Sequence, residues 1–179
     1  MAESFVNSVT RAVGVVTSSS AGAVGVQTNL ITGITTTNVT VGDLVDNSNF
    51  IAGTKVSSIG VNSTTCDRDS TNTTATTSQT VKYLGLTTAY TSASGTKSII
   101  IGGPFANNTT NEVELTVHLY DNSATTTPAI ISRVPVPQGS SFVLSDTGKT
   151  VLEGLDAIRV YCDTANGVDV QLGILKGVS

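Results

Sequence analysis

The sequence predicts an all-β protein, an antiparallel β-sandwich or jelly roll that carries a small inserted β subdomain. Three observations lead there. Of 179 residues, 30 are Thr, 23 Val and 20 Ser, and Thr and Val, branched at Cβ, suit a pleated surface. Runs of Ala, Leu, Glu and Lys, the material of surface helices, are nearly missing. Short apolar stretches recur at period two, separated by Gly, Asn, Asp and Pro. The chain is long enough to bury a core without a metal or disulfides.

Taken in order, Val13, Val15 and Val16 make a strand too short to stand alone. Strand segments follow at 28–35, 38–41, 55–59 and 80–84, with strand-and-turn units at 41–45 and 51–56. Residues 62–77 are almost free of apolar side chains and read as a mobile or solvent-facing loop. Residues 98–101 form an apolar run that leaves its sheet at Gly102-Gly103-Pro104. Val113, Leu115, Val117 and Leu119 then alternate with Glu114, Thr116, His118 and Tyr120, a strand with one buried face. Asp121-Asn122-Ser123 turns the chain into a strand over 129–134, which Pro135 and Pro137 stop because they cannot donate to a ladder. Gln138-Gly139-Ser140 precedes Phe142-Val143-Leu144, and Asp146-Thr147-Gly148 precedes Val151-Leu152. In 157–162, Ile158 and Val160 face one side and Arg159 and Tyr161 the other. Ala165-Asn166-Gly167 is a hairpin signal, and Val168, Val170, Leu172 and Ile174 share one face of the last strand. About eight strands from Leu86 onward, with turns every 8–12 residues or so, is the pattern of a sandwich.

From Ser18 to Tyr83 the chain is richer in Thr, Ser, Gly and Asn and poorer in long apolar runs. Composition shifts at Ser18-Ser19-Ser20 and shifts back after Leu84-Gly85-Leu86. Residues 18–85 are therefore expected as a subdomain inserted in a parent domain of 1–17 plus 86–179, with a thin core of its own.

Charged residues are only 12% of the chain, the net charge is -4 and the pI about 4.7, so no basic surface exists for nucleic acid. No stretch of about 20 apolar residues occurs, and no membrane span is expected. The first residues lack the basic segment and apolar run of a secretory signal. Cys66 and Cys162 lie far apart without metal or redox spacing; they read as isolated thiols of a reducing compartment, their pairing left open. Sequons at Asn38, Asn62, Asn72, Asn107 and Asn108 are what chance gives so Asn- and Thr-rich a chain.

Chemistry has few candidates. His118 is the single histidine, so a Ser-His-Asp triad must use it, with Glu114 on the same strand face; no GxSxG elbow accompanies it. One His and two distant Cys cannot build a metal cluster. Asp67-Arg68-Asp69 begins like a calcium loop, but Asn72 stands where the glycine belongs and Ser78 where the last acid belongs. Glu153 and Asp156 could mimic a glycosidase pair, yet aromatics are 4% and Trp is absent. Gly102-Gly103-Pro104 lacks the Lys and Ser/Thr of a phosphate loop. No catalytic, cofactor-binding or metal-binding residue is assigned, and no cofactor is expected. Phe5, Phe50 and Phe105 lie beside turns or the terminus, where each anchors in a neighbour's pocket or plugs its own sandwich.

The segment VGDLVDNSNFIAGTKVSSIGV (41–61) resembles a motif that recurs in tail, fibre and other surface proteins of bacterial viruses, coupling a VGDLV strand to a GTKV-x-x-I strand. SFVNSVTRAVG (4–14), the stretch 87–121 opening TTAYT, VPVPQGSSFVL (134–144) and VLEGLDAIRV (151–160) resemble small structural proteins of tailed phages, especially those of cyanobacteria. In that family the opening runs almost directly into the TTAYT-like strand. The resemblance implies a non-enzymatic virion protein, assembled in the host cytoplasm. It would self-associate as a homotrimer or larger ring and dock on the major capsid or neck and tail proteins. Capsid decoration (cement) comes first and a neck, tail or baseplate component is the alternative. A carbohydrate-binding host-attachment module is a further alternative, which surface clustering of Tyr83, Tyr90, Tyr120 and Tyr161 would favour.

Overall fold

The computed structural model describes residues 3–144 and 149–178, so the expected turn at Asp146-Thr147-Gly148 lies outside the described residues. Among these residues there is no α-helix and there are sixteen strands. They are β1 (Ser4–Val13), β2 (Val15–Val24), β3 (Leu30–Thr32), β4 (Leu44–Asp46), β5 (Val56–Gly60), β6 (Ser63–Cys66), β7 (Thr76–Gly85) and β8 (Thr87–Thr91). β9 (Lys97–Gly102), β10 (Pro104–Asn107), β11 (Val113–Tyr120), β12 (Ala129–Val136), β13 (Ser141–Val143), β14 (Thr150–Leu152), β15 (Ala157–Cys162) and β16 (Val168–Val178) complete them. The chain forms two compact units. The first holds the chain up to Val13, Thr87–Cys162 and the chain from Asn166 on; the second holds Gly14–Leu86 with Asp163–Ala165.

The first unit has two antiparallel sheets. In the six-stranded sheet, β1 runs along one side of β16, from Ser4↔Lys176 to Thr10↔Val170. β9 and β10 share the other side of β16, with β14 beyond β9 and β13 beyond β10. The four-stranded sheet has the order β12-β11-β15-β8. Alternation delivers one face of each strand to a common core: Ile100, Phe105, Leu172 and Ile174 from one sheet, Leu115, Val117, Ile158 and Val160 from the other. Burying each such side chain contributes about 1.5–3 kcal/mol.

Several expectations for this unit change. Val13 closes a ten-residue strand rather than belonging to a short one, and Gly14 (φ 91) separates it from β2, which is also ten residues long. Gly102-Gly103-Pro104 is a kink and not a strand exit: β10 continues along the β16 edge that β9 follows. Gly102 (φ 150) and Gly103 (φ 157) adopt backbone that side chains avoid, and a Cβ on Gly103 would overlap the carbonyl oxygen of Gln171. β12 runs through Pro135, opposite Glu114, to Val136; it is an edge strand, where a missing N–H is tolerated. Asn166 has the positive φ (54) expected of it, but Ala165-Asn166-Gly167 makes no hairpin, because β15 and β16 belong to different sheets.

The second unit is one six-stranded antiparallel sheet, β4-β7-β2-β3-β6-β5. Its two ends meet. Leu44 bridges Lys55, Val45 N–H donates to Thr54 O (2.8 Å), Gly42 N–H to Val56 O (2.9 Å) and Val56 N–H to Asp43 O (2.9 Å). The two ends of the sheet are therefore joined at this seam, which covers the edge of β4 and the start of β5. The seam is the VGDLV…GTKV segment. Within it only Leu44–Asp46 is strand on the first side, and Val41-Gly42 is a turn. Residues 38–41 are likewise not a strand: Asn38 takes φ 64 and Val39 N–H bonds to Thr36 O.

The core of this unit includes Val24, Ile31, Phe50, Val56, Cys66, Val81 and Tyr83. The expected loop at 62–77 is instead strand at Ser63–Cys66 and again from Thr76, and Thr64, Cys66 and Ser70 are buried. Thr64 escapes a hydrophobicity pattern because its hydroxyl is satisfied inside, against the Tyr83 hydroxyl at 2.8 Å. Burial lifts the Tyr83 phenol from its ordinary 10.0 to about 12, and burial with the neighbouring Asp67 charge lifts the Cys66 thiol from 9.0 to about 12. Both groups ionise more readily once unfolded. The stability they contribute is fully present below about pH 9 and is lost as pH rises toward about 12. Urea melts at stepped alkaline pH are expected to show this fall, and Cys66→Val to flatten it; an unchanged slope in Cys66→Val would sink the assignment.

Candidate functional site

The two sheets of the first unit turn different chemistry outward. On the four-stranded sheet, the polar positions of β11 and β15 interleave into a row. His118 lies opposite Arg159 and Thr116 opposite Tyr161. The Arg159 guanidinium sits 3.7 Å over the Tyr120 ring, and His118 meets Tyr161 edge-on at 5.7 Å. On the neighbouring strand Arg133 grips Glu114 with two bonds, Nε–Oε2 at 2.9 Å and Nη2–Oε1 at 3.1 Å. The Thr116 hydroxyl accepts the Arg133 N–H at 3.0 Å, where the β11–β12 register slips. The row is rigid, amphipathic and half-buried.

The six-stranded sheet turns out apolar residues. Phe5, Leu175, Ile99 and Val151 are cross-strand neighbours on four successive strands, β1, β16, β9 and β14. Phe5 is 75% exposed, Val151 52% and Ile101 42%. Gly102 and Gly173 face each other beside them, and the missing side chains leave a depression of about 280 Å³ lined by Phe5, Asn7 and Ile101. Contiguous apolar surface of this kind is where proteins dock.

His118 Nδ1 lies 3.1 Å from the Thr127 carbonyl and its buried Nε2 has no hydrogen-bond partner among the described residues; Glu114 is held by Arg133 instead. Asp156 is buried and staples turns, accepting the N–H groups of Asn122 and Glu153 at 2.9 Å, while Glu153 reaches Lys97 at 3.6 Å. Asp67 accepts the Lys55 N–H at 2.9 Å and pairs with Arg68 at 3.4 Å. Among the described residues no three His, Cys, Asp or Glu gather around one point. Cys66 and Cys162 form no disulfide and are buried, each in the core of its own unit. Phe50 and Phe105 plug their own cores, and Phe5 alone points out. Of the four tyrosines, Tyr83 is fully buried and Tyr90 hydrogen-bonds Ser98 at 3.0 Å; only Tyr120 and Tyr161 share the polar row.

Asp43 belongs to the VGDLV segment, and nothing in its sequence context marks it as buried. It is 3% exposed and sits at the seam of the second unit's sheet. Its carboxylate accepts the Thr17 hydroxyl (2.9 Å), the Thr40 hydroxyl (2.7 Å) and the Thr40 N–H (3.0 Å). Its position in a V-G-D-L-V string, just before a strand, signals a turn and not burial.

Comparison with protein-family models, with curated proteins and with solved structures found no match to this chain.

Proposed function

We propose that this chain is a non-enzymatic structural component of a tailed-phage particle that works by binding, both to copies of itself and to other virion proteins. The observation that carries the assembly reading is the apolar row Phe5–Leu175–Ile99–Val151 with its glycine-floored depression. An outward face of that kind on a rigid β scaffold is suited to docking and costs solubility when left bare. The step from assembly to virion rests on the resemblance of 4–14, 41–61, 87–121, 134–144 and 151–160 to small phage structural proteins. The first unit is read as a jelly-roll-like sandwich and the second as the insert. Copies associate as a trimer or larger ring and sit on the major capsid protein as decoration, or on the neck, tail or baseplate. The Tyr120–Arg159–His118–Tyr161 row favours one second reading, a sugar-binding host-attachment surface.

Quantitative mass spectrometry of purified particles against the major capsid protein tests this. Copies in the hundreds are expected for decoration, and up to several dozen for neck, tail or baseplate. Absence from the particle overturns the virion reading and leaves the sugar-binding one.

A further inference from the structure

β1 leaves a long edge open. It pairs with β16 on one side, and among the described residues no strand pairs with its other side. Its side chains divide by parity. Val6, Ser8 and Thr10 lie half-buried over the unit's own interior, where both hydroxyls donate to the Ala89 carbonyl at 2.9 and 3.2 Å. Glu3, Phe5, Asn7, Val9 and Arg11 are exposed, Phe5 at 75% and Val9 at 65%. A ten-residue edge with two bare apolar side chains and no inward-pointing charge is a template for another strand.

The exposed residues read Glu-x-Phe-x-Asn-x-Val-x-Arg, which complements its own reverse. We propose that two copies of this chain pair β1 against β1, antiparallel, about a two-fold axis at Asn7, joining their six-stranded sheets into one. In that register Glu3 faces the partner's Arg11, Phe5 faces the partner's Val9, and Asn7 faces its own counterpart. Opposite charges close both ends, two apolar pairs fill the middle, and two amides meet at the axis. Sliding by two residues sets Glu3 against Val9 or Phe5 against Arg11, and sliding by one sets exposed side chains against inward ones. The Arg11–Asp169 contact within the chain is 3.8 Å long and solvent-exposed, so it holds Arg11 only weakly. This pairing goes beyond the particle reading and does not rest on it; it is a property of the isolated chain.

The full chain tests it through single cysteines under mild oxidation, the native Cys66 and Cys162 being buried. Asn7→Cys alone is expected to form a disulfide-linked dimer, since the two positions coincide at the axis. Phe5→Cys alone and Val9→Cys alone are expected to crosslink at least about tenfold more slowly, while a mixture of the two links readily, because only opposed pairs bring their Cβ atoms within disulfide reach. Val9→Lys places a charge against Phe5 and is expected to weaken dimerisation by about tenfold or more in sedimentation, with thermal unfolding unchanged at dilutions where both chains are monomeric. A native chain that stays monomeric at its highest soluble concentration overturns the proposal. So does Phe5→Cys crosslinking alone as fast as Asn7→Cys, or a dimer indifferent to Val9→Lys.

Discussion

Gly103→Ala is expected to be the most damaging single-methyl change in the first unit. The added Cβ would collide with the carbonyl oxygen of Gln171 while lying 2.8 Å from its carbonyl carbon and 3.0 Å from Leu172 Cα. None of these atoms can rotate away, because they are backbone of the central strand β16. The backbone at φ 157 adds strain of its own. A cost of about 3 kcal/mol or more follows, the range of steric and conformational strain together. For a unit of about a hundred residues that lowers the melting temperature by roughly 10–20 °C. Gly139→Ala is the control: φ is also positive there, at +68, but no atom of the described residues lies within 4 Å, so only the strain of about 1–2 kcal/mol applies. Equal losses at the two positions would refute the steric account. Hydrogen exchange should accelerate first in β9, β10 and β16.

Asp43→Ala is expected to open the seam of the second unit. It leaves the Thr17 hydroxyl, the Thr40 hydroxyl and the Thr40 N–H without their acceptor. The half-buried Thr17 hydroxyl keeps the Tyr83 carbonyl at 3.1 Å, and Thr40 is exposed, so water can take over its lost acceptor. The loss of these charge-assisted bonds is therefore expected to cost about 1–3 kcal/mol in all. Exchange protection should fall in β4, β5 and β7 and persist in the β11–β15 ladder. Asp43→Asn keeps the shape and one carbonyl acceptor and should lose less. A change below about 1 kcal/mol in Asp43→Ala would mean that the seam stands without its carboxylate.

Legibility in the sequence followed how burial is achieved. β11, β15 and β16 bury apolar side chains on one face and wet polar ones on the other, so Val113–Tyr120 and Ala157–Cys162 were readable from period two alone. β6 and β1 were not, because they turn hydroxyls inward: Thr64 to Tyr83, Ser8 and Thr10 to the Ala89 carbonyl. A buried Thr with its bond made is indistinguishable by composition from a loop Thr. The polar row was half visible. Glu114, Thr116, His118 and Tyr120 stood out as one strand face, but joining Arg159 and Tyr161 to them needed the non-local β11–β15 register. The Asn166-Gly167 turn failed for the same reason. A turn dictates local direction, not which sheet the next strand joins.

The pairing of β1 with β16 has a consequence in time. β1 (Ser4–Val13) is made well before β16 (Val168–Val178), so it waits for the whole intervening stretch before its ladder can form. At roughly 5–20 residues per second that wait lasts ~10–30 s. The second unit has no such delay. All six of its strands have been synthesised by Gly85, and it can close while β8 onward is still being made. The second unit therefore closes before the first, and the eleven-residue strand Val168–Val178 sets the moment at which the first unit's six-stranded sheet becomes complete.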